Sequence, residues 1–338
     1  MSGINRNRTG GAYAKTAAND ERAPWQPRWS DPRGWASRPP RHQAVAHQIN
    51  DRVAETGAND HSTRLKLLTF NIQVGIKTSR YRHYVTNGWK HLWPHEERAL
   101  NLRKVGDIVS DYDVVALQEI DCGSLRSGYL NQVEFLAEQA GFPYWYTQTN
   151  RALGMFAQHG NGLLSRIEPI GLEDHKMPGT LPGRGAILVR IPLTPEVDGK
   201  PGAALVLAML HLSLGPRSRE WQLHYLAERL ADEQHFVVMG DLNTHMAEDV
   251  RRSPLVDLGL AVPAEPPATF PAWEPQLSLD HVLVSPHLEV ERYEALPCHL
   301  SDHLPIGVTL RLTPDAHRTL GRGVAQRVDQ RQADSWTL

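Results

Sequence analysis

The sequence predicts an α/β protein in which two β-sheets pack face to face with helices on the outside. Three features point to it: many short apolar runs of strand length, few segments of helical period, and no internal repeat. At 338 residues the chain could hold two domains, but large α/β sandwiches reach this size as one. A 41% hydrophobic fraction and nine Trp supply a sizeable core.

The strand runs come in order. Leu65–Phe70 and Val114–Leu117 are short and apolar enough to be buried on both faces. Pro94 opens a helix to about Ser110, with Leu100, Val105 and Ile108 as its apolar positions. Asn131–Ala140 reads as a helix stopped by Gly141. Further strands are expected at Tyr144–Thr147, Gly162–Leu164, Ala186–Ile191, Ala204–Leu210, Phe236–Met239, His281–Val284 and Ile306–Leu312, with a helix over Arg217–Glu233.

The ordered domain is expected to span 65–312. Residues 1–64, rich in Arg, Pro, Gly and Trp, carry 10 Lys/Arg against 6 Asp/Glu and show no secondary-structure period beyond a short helical stretch at Gln43–Val53. They read as a basic, disordered tail that is either a solvated extension or a docking segment for a partner. Residues 313–338 read as a polar tail. The rest of the chain carries 26 basic and 32 acidic residues, the opposite balance from a tight non-specific DNA binder. Cys122 and Cys298 are too few for a disulfide framework and lack metal-ligand spacing. With no apolar stretch of about 18 residues and no leader-like N-terminus, a cytoplasmic protein without a transmembrane segment is expected.

Chemistry shows where the apolar runs end. Leu67–Phe70 runs into Asn71, Val114–Leu117 into Gln118-Glu119, Leu205–Leu210 into His211, and Val237–Gly240 into Asp241-Leu242-Asn243; Leu279 leads to Asp280-His281, and Ser301-Asp302-His303 precedes Leu304-Pro305. Strand ends gathered on one edge of a sandwich place such residues around one cleft. Glu, Asp, Asn and His without thiols suit a hard cation. Each piece alone has a plain alternative: a Gly-Asp after a strand is commonly a turn, and a single His can be a satisfied core residue.

As a set and in this order, LTFN (68–71), VALQE (115–119), NGLLSR (161–166), HLS (211–213), GDLN (240–243), LDH (279–281) and SDHLP (301–305) resemble the motifs of the endonuclease/exonuclease/phosphatase superfamily, over roughly Leu65 to Leu312. The resemblance implies a four-layer αββα sandwich of two mainly antiparallel sheets with outer helices, and hydrolysis of phosphate esters with Mg²⁺ or Mn²⁺. It implies Glu119 as the principal metal carboxylate, with Asn71 and Asp302 beside the metal. Asp241 would position or deprotonate the attacking water, and Asn243 would bond a phosphoryl oxygen. His303 would contact the phosphate, supported by the buried acid Asp280, and His211 matches the second histidine of the deoxyribonuclease and sphingomyelinase branches. Arg184, in Gly183-Arg184-Gly185-Ala186, where the family often has Arg-x-Ala, either reaches the substrate phosphate or is a surface Arg in a Gly-rich turn, and Asn161 is a further candidate for binding substrate.

Two departures blur the branch: Gln73 stands where some nucleases have Asp, and His281 where many members have Tyr or Arg. Thr269, in Thr269-Phe270-Pro271, is either a phosphate contact or a turn residue. The stretch Gly75–Trp93 interleaves basic and aromatic residues that could grip a nucleic acid, a lipid headgroup or a sugar phosphate, or could pack on themselves. With Gly123–Tyr129 and Arg151–His159 it is expected to rim the cleft. The expected partner is a phosphoester, either nucleic acid or a small or lipid ester, cleaved as a diester or as a phosphatase or phospholipase would. A binding protein that keeps the fold without activity is the reading from another class.

Overall fold

The structure is a computed structural model, and it describes residues 63–73, 96–153, 157–180, 183–193, 202–244, 252–260 and 265–312. Residues 1–62 and 313–338 and the Gly75–Trp93 stretch fall outside them, while Thr63 and Arg64, expected in the tail, open the first strand. Eleven strands and three α-helices form among the described residues. In order they are β1 (Thr63–Asn71), α1 (Glu96–Val109), β2 (Val114–Asp121), α2 (Gln132–Ala140), β3 (Tyr144–Leu153), β4 (Ala157–Ser165), β5 (Gly171–Lys176), β6 (Gly185–Pro192), β7 (Ala204–His211), α3 (Pro216–Leu230), β8 (Phe236–Asp241), β9 (Asp280–Val284), β10 (Glu289–Ala295) and β11 (Ile306–Leu312).

The strands make a six-stranded sheet, β10-β11-β1-β2-β4-β3, and a five-stranded sheet, β5-β6-β7-β8-β9. Each sheet holds one parallel pair near its middle, β1 with β2 and β7 with β8; the other pairs are antiparallel. A parallel pair needs a crossover, and α1 and α3 lie within the two crossovers. The result is the four-layer αββα sandwich.

Strand side chains alternate between faces, so each central strand feeds two layers. Leu65, Leu67, Ala116, Leu163, Ile187, Val189, Leu205, Leu207, Met209, Val237, Met239 and Val282 meet between the sheets. The intervening residues turn outward. Leu68, Phe70, Val115, Leu117 and Leu164 pack beneath α1 and α2, and Val206, Ala208, Leu210 and Val238 beneath α3. This double burial explains why these segments read as unbroken apolar runs.

Helix α2 starts where Asn131 accepts bonds from the Val133 and Glu134 amides, and ends at Gly141 in the left-handed region. Helix α1 buries Leu102, Val105 and Val109, an i, i+3, i+7 stripe, while Leu100, expected on its apolar face, is 58% exposed. Two strands carry no apolar signature. In β10, Glu291 pairs with Arg64 and Arg311, the charged surface of an edge strand. In β5, the buried pair Glu173–His175 closes at 2.6 Å, and His175 Nδ1 lies 2.7 Å from the Tyr225 hydroxyl of α3. Both cysteines are free and partly buried, packed against the core beneath α1 and α2.

Candidate active site

Followed along any inner-facing row, the chemistry changes at one end. Leu65 and Leu67 are followed by Thr69 and Asn71, Leu207 and Met209 by His211, Val237 and Met239 by Asp241, and Val284 and Val282 by Asp280. On β4, read backwards, Leu163 gives way to Asn161. The seam between the sheets is therefore apolar over most of its length and polar at a single edge.

Local backbone features aim these side chains. The β2–β4 ladder slips between Leu117 and Ile120, so that two residues, Gln118 and Glu119, oppose the single Asn161. Glu119 sits in this bulge at φ +52°, which turns its carboxylate out of the pleat. On β8, Gly240 has φ +146°, and a Cβ there would run into the Leu210 carbonyl of the parallel neighbour. A glycine is required to bring β8 that close to β7, and the register then sets His211 beside Asp241. Asn243, at φ +50°, turns back so that its backbone amide meets Asp241 Oδ1 at 2.9 Å.

Asp241 is the hub. Its Oδ2 accepts from Asn71 Nδ2 at 3.1 Å and lies 3.4 Å from His211 Nε2 and 3.9 Å from His303 Nε2. Asn71 is oriented by accepting the Gln73 amide on its Oδ1. Asn243 uses one amide hydrogen on the Leu212 carbonyl, 2.9 Å away. On the other side of His303, Nδ1 lies 2.7 Å from Asp280 Oδ2, which also accepts from Thr269 Oγ1 at 2.7 Å. Among the described residues Asp280 Oδ1 has no hydrogen-bond partner, although the residue is fully buried. Phe270 covers the His303 ring with centroids 5.0 Å apart. The turn carrying Asp302 and His303 is tied to this segment by two backbone bonds, Ala272 to Asp302 and Leu304 to Thr269.

Burial sets the electrostatics. It pushes the Asp241 carboxyl up to about 7; Asp280 adds to the rise, while His303 and the bonds from Asn243 and Asn71 oppose it. Burial works against charge on His303, yet Asp280, Asp241 and Asp302 together hold its pKa well above the ordinary histidine value. His211 goes the other way: burial, then the charges of Arg184, His303 and His159, hold it neutral. Asp302 is raised to about 6 by burial and by Glu119, whose charge opposes its ionisation.

A cleft of about 460 Å³ opens on this edge, and Glu119, Asn161, Arg184 and His211 line it. Asp241, which lies 3.4 Å from His211, and His303 are almost wholly buried beside it. The structure thus gathers Asn71, His211, Asp241, Asn243, Asp280 and His303 into one cluster joined by hydrogen bonds and ion-pair contacts. It sets Glu119 and Asp302 in electrostatic contact, and it places Arg184 and Asn161 on the open wall. Thr269, weighed as a phosphate contact or a turn residue, is fully buried and bonded to Asp280 instead. His281 lies on the opposite face of β9 from Asp280, its Nε2 3.2 Å from the Thr244 carbonyl, away from the cluster. Sequence reasoning passed over Gln148, which follows no apolar run, the signal that found the others; His159, the end of the Arg151–His159 segment expected on the rim, lines the cleft.

Two donor sets could take a cation. Ligand atoms of Asp241, Asp280 and His303 lie within 4.8 Å of one another. That compactness already has a cause, the hydrogen bond joining Asp280 to His303, and an ion there would have to displace a proton. Glu119 and Asp302 are the other set: the charge of Glu119 opposes the ionisation of Asp302, a cost that a cation between them would relieve, and their oxygen donors suit a hard one.

Fold and site together define the class: an αββα sandwich with a carboxylate–imidazole cluster buried at one edge of its inner seam. The chain belongs to the Endonuclease/Exonuclease/phosphatase family, a family of phosphoester hydrolases, whose sequence model matches residues 68–303. Among solved structures it is similar to a family protein from Beutenbergia cavernae, with TM-score 0.56 and 19% identity over 74% of this chain and 72% of that one. A family protein from Bacteroides thetaiotaomicron matches with TM-score 0.56 and 16% identity, over 75% of this chain and 100% of that one. The mannosyl-6-phosphatase of the same organism matches with TM-score 0.53 and 15% identity, over 73% and 99%. At these identities the likeness is one of fold. No curated protein matches the sequence. No helix among the described residues is long and apolar enough to cross a membrane.

Proposed function

We propose that the chain is a divalent-metal-dependent hydrolase of phosphate esters, acting on phosphodiesters. The observation that carries this reading is the surround of Asp241: a buried carboxylate raised to about 7, with Asn71, His211 and His303 all within 4 Å of one oxygen. A carboxylate with a pKa near neutrality can take a proton from water and release it again at the working pH.

Asp241 orients the attacking water and accepts its proton. His303, kept protonated by Asp280, presents its Nε2–H to a phosphoryl oxygen as negative charge develops there. Thr269 and the Phe270 ring hold that imidazole in place. Asn243 offers its remaining amide hydrogen to the same phosphoryl group, and neutral His211 contributes a further polar contact from the cleft side. Arg184 and Asn161 form the wall facing the rest of the ester. Glu119, Asp302 and the second lone pair of Asn71 Oδ1 would hold Mg²⁺ or Mn²⁺. When bound, the cation offsets charge on the phosphoryl and departing oxygens.

The test is hydrolysis by the full chain of plasmid DNA, single-stranded DNA, RNA, bis-p-nitrophenyl phosphate, p-nitrophenyl phosphate and sphingomyelin. Each is run with Mg²⁺, with Mn²⁺ and with EDTA, beside Asp241→Asn. Diester cleavage that EDTA and Asp241→Asn both abolish is expected. Turnover of the monoester alone would shift the reading to a phosphatase, and undiminished activity in Asp241→Asn would sink it.

A further inference from the structure

Beside the cleft the two sheets are joined by a chain of polar side chains of which the proposed chemistry uses only Asn161, as part of the cleft wall. Tyr146 and Gln148 of β3 and Asn161 of β4 face across the seam towards β5 and β6. The Tyr146 hydroxyl donates to Asp174 Oδ2 at 2.7 Å, and Gln148 Nε2 donates to Asp174 Oδ1 at 2.7 Å and to the Ala186 carbonyl at 3.0 Å. Gln148 Oε1 in turn accepts from Asn161 Nδ2 at 3.0 Å, and the same amide donates to the Gly185 carbonyl at 3.0 Å. Both amides are fixed in orientation by this pattern, because each nitrogen faces only acceptors.

The network ends on the backbone around Arg184. The Arg184 carbonyl accepts the Met177 amide at 3.0 Å, so three consecutive carbonyls, those of residues 184, 185 and 186, are each held by a named donor. The ladder between β6 and β7 stops at Ala186–Leu210, one residue short of Gly185, and Asn161 reaches across from the other sheet at that point. Gly185 has no room for a side chain: a Cβ would collide with the Asn150 and Gln148 amide oxygens. Asn161 spends both amide hydrogens within the protein, so its effect on a ligand runs through the backbone it holds.

We propose that Gln148 and Asn161 are positioning residues that preset Arg184 as the anion-binding side of the cleft. The inference rests on the phosphoester reading of that cleft. A guanidinium launched from a backbone already fixed on both sides loses less freedom on meeting a phosphate, and that saving appears as affinity. An apolar contact between the sheets would hold them together equally well, but it would not bond the Gly185 carbonyl from the opposite sheet.

The test is isothermal titration of the full chain with inorganic phosphate. The proteins are wild type, Arg184→Ala, Asn161→Ala, Gln148→Ala, and each of the last two combined with Arg184→Ala, with a thermal melt on every one. Phosphate should bind wild type, bind Arg184→Ala about tenfold more weakly or worse, and bind each network variant about five- to tenfold more weakly. In the Arg184→Ala background the network substitutions should cost nothing further. A purely structural role would add its loss in both backgrounds, and that additivity overturns the proposal. So does wild-type affinity in Asn161→Ala, or no phosphate binding by wild type. If Gln148→Ala does not fold, Asn161→Ala carries the test, since it leaves Gln148 on Asp174. The expected coupling in a chain that hydrolyses no ester would overturn the catalytic reading while supporting this one. Diester cleavage with KM and kcat both unchanged in Asn161→Ala would do the reverse.

Discussion

The two ends of the inter-sheet seam are built from the same strands and the same alternation, yet they bury different things. At one end Leu205, Leu207, Val237 and Met239 interlock with Leu65, Leu67 and Ala116, and water is excluded by hydrocarbon alone. Two to four residues further along these rows, and at the start of neighbouring β9, His211, Asp241, Asn71 and Asp280 are also buried. The first end lowers free energy through burial. The second raises it, since two carboxyls are driven towards the neutral form by the same desolvation. The polar end is held in place by the strands anchored in the apolar end, which is how a sandwich keeps a destabilised cluster rigid.

The sharpest way to break the comparison is Asp241→Asn. It should lower the rate of ester hydrolysis by about 10³- to 10⁴-fold, the combined worth of a base and an oriented water. The fold should survive with its melting temperature unchanged or higher, because a costly buried charge is gone while the Asn243 amide keeps an acceptor. Less than a tenfold loss in kcat at saturating Mn²⁺ would move the proton transfer elsewhere.

Met239→Ala, one alternation away on β8, should do the opposite. Removing a fully buried side chain costs roughly 2–5 kcal/mol of stability, read from urea unfolding. Turnover per folded molecule should stay within about twofold, because the cluster is set by Gly240, Asn243 and the polar bonds. A loss of kcat matching that of Asp241→Asn would show that the two ends are not separable.

That contrast also explains what could be read from the sequence. The central strands were legible because both of their faces are buried, and the cluster was legible because it begins where each apolar run stops. Asn71, Glu119, His211, Asp241, Asp280 and His303 all follow or precede such a run. Strands β5 and β10 were not, since Glu173 and His175 are buried through a mutual bond and β10 is a charged edge. Gln148, and the part Thr269 plays, were hidden for a related reason: each bonds to a group distant in sequence, Asp174 and Asp280, so no local spacing marks the contact. Leu100 misled because its neighbours in the helical period, not it, meet the sheet.

The smallest expected effect sharpens the polar end further, through pH. Asp302 has a pKa of about 6 in the folded protein against an ordinary value of 3.8, so the folded state favours its protonated form. A carboxyl raised on folding costs nothing below pH 3.8, and its cost grows as pH rises towards 6. For the metal-free protein this amounts to roughly 2–3 kcal/mol by pH 7. His303 acts in the same direction, since a histidine raised on folding contributes stability below its unfolded pKa that is lost as pH rises through its folded one. Wild type measured in EDTA should therefore lose stability relative to Asp302→Asn between pH 4 and 7. Added Mn²⁺ should raise the wild-type melting temperature more at pH 7 than at pH 5, because a cation beside Glu119 requires Asp302 ionised. Below pH 6 its binding should release about one proton, seen as a dependence of the titration enthalpy on buffer. Mn²⁺ affinity that stays flat from pH 5 to 7 would mean that Asp302 takes no part in holding the ion, leaving Glu119 and Asn71 to do so without it.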